Sequence, residues 1–236
     1  MRVLLFCGLL LLCLTPWAMA TPTTEFWTPA TIDIQPPKTT HLTLDNYFTV
    51  GCDNGESFPT DVGLTYGFKL SPAVNAEVGV DLLEPSDDPL FFNAKAGVAE
   101  GVLSKNAPGL AVGIFNVGTR SGVTNQNTIY AVAGKTLGNF GRLHVGGYWG
   151  NGDVLRSSAG KKANTGWMVG YDKVLVPNKW TLIADYASGD NALGGGGAGL
   201  SYCFNKDASL LFGPVWFNDA GINGKMKWST QVDINF

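Results

Sequence analysis

The chain ends with nine residues, WSTQVDINF (228–236), that alternate strictly between two kinds of side chain. One face of a strand would carry Trp228, Thr230, Val232, Ile234 and Phe236, and the other would carry Ser229, Gln231, Asp233 and Asn235. This period of two predicts a β-strand with an apolar and a polar face. The apolar face suits either a second sheet in a soluble sandwich or the lipid around a membrane barrel.

The composition favours the membrane barrel. Charged residues make up 15% of the chain, below the roughly 25% that is usual in soluble domains, and glycine is abundant with 31 residues. The net charge is −3, so no basic surface for nucleic acid is indicated. Beyond the first 20 residues no run of about 18 apolar residues occurs, and we predict no transmembrane helix.

The first 40 residues predict two segments that precede the barrel. Arg2, an apolar run over residues 3–14 and the sequence AMA at 18–20 are typical of a secretory signal peptide that is cleaved after residue 20. Residues 21–40 form a Pro/Thr-rich lead-in, whose aromatic residues suit a membrane surface or a lumen. We therefore divide the chain into a signal peptide (1–20), this lead-in (21–40) and a barrel (41–236).

The rest of the chain repeats the pattern of its last strand. We count twelve alternating segments separated by turn residues, with ten to fourteen strands as alternatives because each barrel strand has a weak signal. The segments are 42–50, 62–70, 76–82, 90–98, 110–117, 128–137, 142–150, 165–173, 180–187, 198–204, 210–217 and 227–236. Most have about 8–10 residues, close to the length that crosses a bilayer at a tilt. Pro214 predicts a bulge or local break in the eleventh segment.

The connections and the aromatic residues follow a second pattern. Connections after even-numbered segments are mostly tight, whereas those after odd-numbered segments are longer and rich in Gly, Asn and Asp. This asymmetry is typical of bacterial outer-membrane barrels, which have short periplasmic turns and longer outer loops. Aromatic residues concentrate near both ends of the segments, as expected for belts at the two membrane interfaces.

The signal peptide, the repeated amphipathic segments and the terminal strand together resemble Gram-negative outer-membrane β-barrel proteins of the porin-like class. No specific porin, transporter or enzyme family matches by motif. The resemblance implies a closed antiparallel transmembrane β-barrel in the bacterial outer membrane, in contact with the lipid bilayer and lipopolysaccharide. It also implies that Trp228, Val232, Ile234 and Phe236 form a signal for the barrel-assembly machinery.

Charged residues on the polar faces are the candidate functional residues. The alternation places ten of them in the lumen: Asp45, Lys69, Glu77, Asp81, Lys95, Arg142, His144, Asp172, Asp185 and Asp233. They predict a charged constriction that filters solutes, although the same residues could simply form salt bridges that brace the wall. Lys135 could join them, and Lys69 could lie between Asp233 and Asp45, which need a cation or a proton between them.

We therefore predict a porin-like channel for the passive diffusion of small polar solutes. A first alternative is a non-conducting structural or interaction barrel, plugged by its own side chains or by residues 21–40. A second is a secreted soluble β-protein or a barrel enzyme. Neither histidine, His41 or His144, lies at the outer rim or on the lipid face, where a barrel enzyme would need it. We predict no enzyme, cofactor or metal, and the oligomeric state stays open.

Overall fold

The structure is a computed structural model that describes residues 24–49 and 58–236. Within these residues the chain forms twelve strands, and each strand pairs antiparallel with its neighbours in sequence. The strands are β1 (Thr40–Phe48), β2 (Thr60–Lys69), β3 (Asn75–Glu84), β4 (Leu90–Val98), β5 (Gly109–Gly118), β6 (Asn125–Thr136), β7 (Arg142–Trp149), β8 (Thr165–Val176), β9 (Trp180–Ala187), β10 (Gly195–Cys203), β11 (Ala208–Phe217) and β12 (Lys227–Asn235). The signal peptide predicted for residues 1–20 lies outside the described residues.

Pairing between the first and last strands closes the sheet. β1 and β12 run antiparallel from the pair His41↔Asn235 to the pair Phe48↔Trp228, so the ring has no unpaired edge there. The predicted fold class, a closed antiparallel barrel of about twelve strands, is confirmed. Among the described residues, no helix has the length and apolar character needed to cross a membrane.

The strand bounds differ from the predicted ones by at most three residues. The largest differences include the starts of β6 and β10, which begin at residues 125 and 195 rather than 128 and 198. β10 begins with a run of three glycines, Gly195 to Gly197, which pair with Ala187, Tyr186 and Asp185 of β9. Alternation could not reveal this part of the strand, because glycine has no side chain to mark a face.

Pro214 interrupts one ladder without changing its register. On the β10 side, the pairs run from Gly195↔Phe217 to Gly197↔Val215 and resume at Leu200↔Phe212. A proline has no N–H to donate to a ladder, which explains the interruption. On the other side, Pro214 lies opposite Trp228 of β12 in a continuous ladder. The predicted local break is therefore confined to one side of β11.

The two faces of the strands differ as the alternation predicts. On β2, Val62, Leu64 and Tyr66 are between 37% and 45% exposed, whereas Gly63 and Thr65 between them are buried. On the last strand the polar residues are buried and the apolar residues point outwards: Ser229, Gln231 and Asp233 face the interior, and Ile234 is exposed. An apolar outer wall around a polar interior is the arrangement of a barrel that sits in lipid.

Exposed aromatic rings gather at the two rims. The long-loop rim, defined by the connections after odd-numbered strands, carries Phe48, Trp149, Trp167 and Trp216. The short-turn rim, defined by the connections after even-numbered strands and by residue 236, carries Phe140, Trp180, Phe204 and Phe236. Several rings pair with neighbours; Trp180 and Tyr202, for example, have centroids 4.7 Å apart. Two such belts are expected where headgroups meet hydrocarbon.

Residues 24–39, called the inner segment below, run through the interior of the barrel. Its most deeply buried residues are Glu25, Phe26, Thr28, Ala30, Thr31, Ile32 and Gln35. The Phe26 carbonyl accepts a hydrogen bond from Gln231 Nε2 of β12 (2.9 Å), and the Ile32 amide donates to His144 Nδ1 of β7 (3.3 Å). Because β12 and β7 lie far apart around the ring, the segment spans the lumen.

Glycines in the wall make room for the inner segment. A Cβ on Gly170 of β8 would lie 2.1 Å from the Ala30 carbonyl oxygen, and one on Gly67 of β2 would lie 2.3 Å from the carbonyl oxygens of Gln35 and Pro36. No other residue type permits backbone to approach backbone this closely. The inward glycines therefore fix where the segment touches the wall.

The exposed face yields a test of depth in the membrane. We expect Leu64→Arg, in the middle of β2, to lower the free energy of unfolding in phosphatidylcholine bilayers by about 2–4 kcal/mol. Leu70→Arg, just beyond the end of β2 at the short-turn rim, is the matched control and should cost about 0–1 kcal/mol. Reversible urea unfolding measures both. Equal costs at the two positions would contradict a lipid-facing wall.

Candidate functional site

The lumen is the candidate site, and Asp185 of β9 is its main anchor for the inner segment. Its Oδ2 accepts the backbone N–H groups of Phe26 (2.9 Å), Trp27 (2.8 Å) and Thr28 (2.7 Å). Its Oδ1 accepts from the Gly197 amide of β10 (3.2 Å). A buried carboxylate needs such donors because it has lost its hydrogen bonds to water. The carboxylate in turn fixes the start of the segment against the wall.

Arg142 of β7 anchors the middle of the inner segment. Its guanidinium donates from Nε to Asp172 Oδ2 of β8 (3.0 Å) and from Nη1 to Asp33 Oδ1 of the segment (2.6 Å). Nη2 contacts both carboxylates as well. Arg142 and Asp172 are direct partners in the β7–β8 register, so the sheet itself brings them together. The planar guanidinium serves as a bridge between two carboxylates.

Glu77 and Lys95 hold the end of the segment that leads into β1. They are direct partners across β3 and β4, and both are buried. Glu77 Oε2 accepts the Gln35 amide (2.6 Å), while Lys95 Nζ donates to the Asp33 carbonyl (2.7 Å). The charges predicted for the constriction on these two strands are therefore bonded to the inner segment rather than open to the lumen.

His144 of β7 is fully buried against the inner segment. It lies close to Glu25 and Asp172, and one potential ligand atom of each of the three residues falls within 4.8 Å of the others. Its Nδ1 already accepts the Ile32 amide, and Asp172 is already paired with Arg142. Two of the three side chains are thus already hydrogen-bonded to groups of the protein. We interpret the cluster as contacts that hold the inner segment and not as a metal site.

Asp233 pairs with His41 and not with a lysine. His41 Nε2 lies 3.2 Å from Asp233 Oδ1, and its Nδ1 lies 3.2 Å from Asn235 Oδ1. His41 is buried at the short-turn end of β1. Lys69 is exposed where β2 ends, opposite Asn75, and it does not lie between Asp233 and Asp45 as expected. The lysine is too far along the strand, whereas His41 is the inward residue of the adjacent strand.

Lys135 lies on the outward face of β6 and is not one of the lumen charges. Its neighbours Gly134 and Val132 are on the inward face, and its Nζ pairs with Glu100 in the β4–β5 turn (2.9 Å). Partial burial raises the pKa of Glu100, but hydrogen bonds from Thr136 and Lys135 outweigh this and hold the pKa below its usual value. Arg142, Asp172 and Asp185 therefore contribute to the predicted lumen charges on this side of the barrel without Lys135.

A cavity of about 380 Å³ fills the part of the lumen that the inner segment leaves open. It extends from His41, near the short-turn rim, to the loops at the long-loop rim, where Phe115 and Leu193 border it. Three further predicted charges lie here: Asp45, Asp81 and Asp233 line the cavity. Asp61, which was not among the predicted lumen charges, lines it with them. The lumen therefore has an occupied part and an open part.

Several residues of the site were not predicted, although some carried a signal. His41 and Asp61 share the inward parity of Asp45 and Thr65, so alternation alone could have found both. The residues of the inner segment carried no such signal. Glu25, Phe26, Asp33 and Gln35 lie in a stretch without regular structure, and their partners are strands that follow much later in the chain.

Solved structures with a similar fold include three bacterial channels. An outer-membrane channel from Pseudomonas putida F1 has 10% sequence identity and a TM-score of 0.53, covering 92% of this chain and 100% of that chain. The KdgM porin has 10% identity and a TM-score of 0.55, with coverages of 84% and 99%. The NanC porin has 9% identity and a TM-score of 0.53, with coverages of 84% and 98%. The fold is that of outer-membrane channels.

This likeness concerns the fold. The predicted resemblance to outer-membrane β-barrel proteins of the porin-like class is confirmed at that level, over nearly the whole length of the matched chains. No protein-family model matches the sequence, and no curated protein matches it.

The Asp185 anchor can be tested by removing its carboxylate. We expect Asp185→Ala to lower the free energy of unfolding by about 3 kcal/mol or more, because several buried N–H donors of the inner segment lose a charged acceptor. Asp153→Ala, in the exposed loop between β7 and β8, is the control and should change stability by less than about 0.5 kcal/mol. Urea unfolding in bilayers gives both values, and equal values would argue against the anchor.

Proposed function

We propose that this protein is an outer-membrane channel for small polar solutes, narrowed by its own inner segment. The observation that carries the proposal is the contrast between the two faces of the barrel. The outer wall is apolar, while buried charged residues such as Asp45, Glu77, Lys95 and Asp233 face the interior. A closed barrel satisfies its backbone without water, and a charged interior attracts and filters polar solutes.

The inner segment and the predicted lumen charges act together in this proposal. Five of these charged residues hold the segment against the wall and so define the narrowest part of the proposed passage. They are Asp185, Arg142, Asp172, Glu77 and Lys95. Asp45, Asp81 and Asp233 remain beside the open cavity. The constriction is thus made of a bound stretch of chain rather than of a ring of free side chains.

A specific observation also favours a second candidate, a barrel that does not conduct. The inner segment is tied to strands around most of the ring, through Asp185 of β9, His144 of β7 and Glu77 of β3. A segment held this firmly could close the lumen and leave the cavity as a binding pocket open to the long-loop rim. The neighbours in fold are channels, which supports conduction and a role other than catalysis.

The proposal extends to the partners of the barrel. The short-turn rim would face the periplasm, and the long loops would lie among lipopolysaccharide molecules. Trp228, Val232, Ile234 and Phe236 belong to the outward parity of the last strand, and Ile234 and Phe236 are exposed. An exposed aromatic at the end of the last strand supports its proposed use by the barrel-assembly machinery.

Planar-bilayer recordings distinguish the two candidates. We expect the mature chain to give small, cation-preferring channels, because carboxylates outnumber lysine and arginine among the inward residues. Asp185→Ala should raise the conductance several-fold, since it releases the start of the inner segment. Asp153→Ala should leave the conductance unchanged.

Two outcomes of these recordings would contradict the proposed channel. If the mature chain shows no conductance and Asp185→Ala conducts, the result would favour the plugged barrel. Silence of both, with correct folding shown by heat-modifiable mobility on a gel, would rule out the channel.

A further inference from the structure

Four carboxylates of β12, β1, β2 and β3 converge on the cavity. Asp45 and Asp61 are direct partners in the β1–β2 register, so two like charges stand opposite each other. Like charges in this position destabilise a sheet unless something lies between them. Both residues line the cavity, and Asp61 Oδ1 is a buried atom that has no hydrogen-bond partner among the described residues.

The other two carboxylates lie in the adjacent row of the same four strands. Thr43 of β1 is opposite Asp233 of β12 on one side and Gly63 of β2 on the other, and Gly63 is opposite Asp81 of β3. A Cβ on Gly63 would lie 2.7 Å from Asp81 Oδ1, so the glycine leaves the room that this carboxylate occupies. The wall of the cavity is therefore built to present acids here.

The lysines and arginine inside the barrel are bonded to other partners; Lys227 of β12, for example, donates to the Thr49 hydroxyl (3.0 Å). Among the described residues that line the cavity there is no lysine or arginine. Arg142 is bound to Asp33 and Asp172, and Lys95 is bound to the Asp33 carbonyl. His41 is the one titratable base at the cavity within the described residues, and it pairs with Asp233.

The remaining acids have neutral partners. Asp45 accepts a hydrogen bond from the Thr43 hydroxyl (2.6 Å), and Asp81 accepts one from the Asn93 amide. Neither partner carries a positive charge. Together with Asp61, these residues line the open part of the lumen with carboxyl groups that have no basic hydrogen-bond partner among the described residues, and a bound cation could supply one.

The spacing of these acids suits an organic cation better than a metal ion. Ligand atoms of one calcium ion lie within about 5 Å of each other, because each is about 2.3–2.6 Å from the ion. Within the described residues, the group that meets such a criterion is Glu25, His144 and Asp172, outside this wall. The four aspartates are spread over two rows and four strands, as suits a larger ligand with several N–H donors.

Aromatic rings continue the cavity towards the long-loop rim. Trp27, Tyr47 and Phe58 line it, and Phe217 packs behind them. Trp27 is 5.8 Å from Tyr47 and 5.7 Å from Phe58 between ring centroids. Tyr47 follows Asp45 on the same face of β1, so rings and carboxylates adjoin each other. Aromatic rings attract ammonium groups as well as apolar bodies.

We propose that the cavity binds small organic ammonium compounds, with the charged nitrogen at the aspartates and an apolar body against the rings. Its volume of about 380 Å³ lies within the range of roughly 300–1,000 Å³ that is usual for small-molecule sites. The inference rests on the proposed function in that it names the solute of the same lumen. Binding, however, can be measured without conduction.

Three probes of similar shape and different charge test the proposal. The mature chain in detergent is titrated by calorimetry with phenethylammonium, 2-phenylethanol and phenylacetate. We expect phenethylammonium to bind at least about tenfold more tightly than the neutral alcohol, which corresponds to one charge-assisted hydrogen bond. Phenylacetate should bind most weakly. Equal binding of the three probes, or none by phenethylammonium, would overturn the proposal.

Matched variants separate recognition from structure. Asp61→Asn keeps the size of the side chain and should weaken phenethylammonium binding by about tenfold or more. In the absence of ligand the same change should raise the stability of the barrel, because it removes the repulsion with Asp45; a merely structural acid would give the opposite sign. Asp45→Asn gives the same test if Asp61→Asn does not fold. Phe58→Leu should weaken binding about fivefold, and Asp153→Asn should not change it.

The outcomes also separate this inference from the proposed channel. Tight binding of phenethylammonium by a chain that does not conduct would support the binding site and contradict the proposed channel. Conduction without preference for the ammonium probe, or unchanged binding in Asp61→Asn and Asp45→Asn, would keep the channel and overturn the ammonium site.

Discussion

The pairing of β1 with β12 is the constraint on which the structure depends. A sheet that faces lipid has no water to satisfy its edge groups, so it has to close on itself. Closure brings His41 beside Asn235 and Phe48 beside Trp228, although these residues are separated by almost the whole chain. Once the ring is closed, every strand has one face to the outside and one to a shared lumen.

A shared lumen creates a second requirement, because its polar groups must find partners in a narrow space. The inner segment meets much of this requirement. Its backbone amides satisfy Asp185 and Glu77, and its Asp33 occupies the free side of Arg142. The same bonds fix the segment in place. The part of the chain that narrows the passage is therefore also the part that completes the polar interior.

The charges are unevenly distributed around the ring. Where the inner segment touches the wall, acids and bases are bonded to it. Beside β12, β1, β2 and β3, three aspartates border open space. Asp45 and Asp81 have neutral hydrogen-bond partners, and the Oδ1 atom of Asp61 has none among the described residues. A lumen with one satisfied part and one acidic part has a natural place for a solute. In the proposed channel, the narrow passage and the cavity are successive parts of one pathway.

The sequence by itself determined the strands, their two faces and the barrel class, because alternation along a strand is a local property. It placed ten charged residues on inward faces, and the structure keeps nine of these within the lumen; Lys69 lies exposed at the rim. Only the tertiary structure decided which side chains contact each other. His41 rather than Lys69 pairs with Asp233, and the inner segment lies in the lumen rather than at the membrane surface. These contacts join residues far apart in the chain, and they arise only when closure of the ring makes distant strands neighbours.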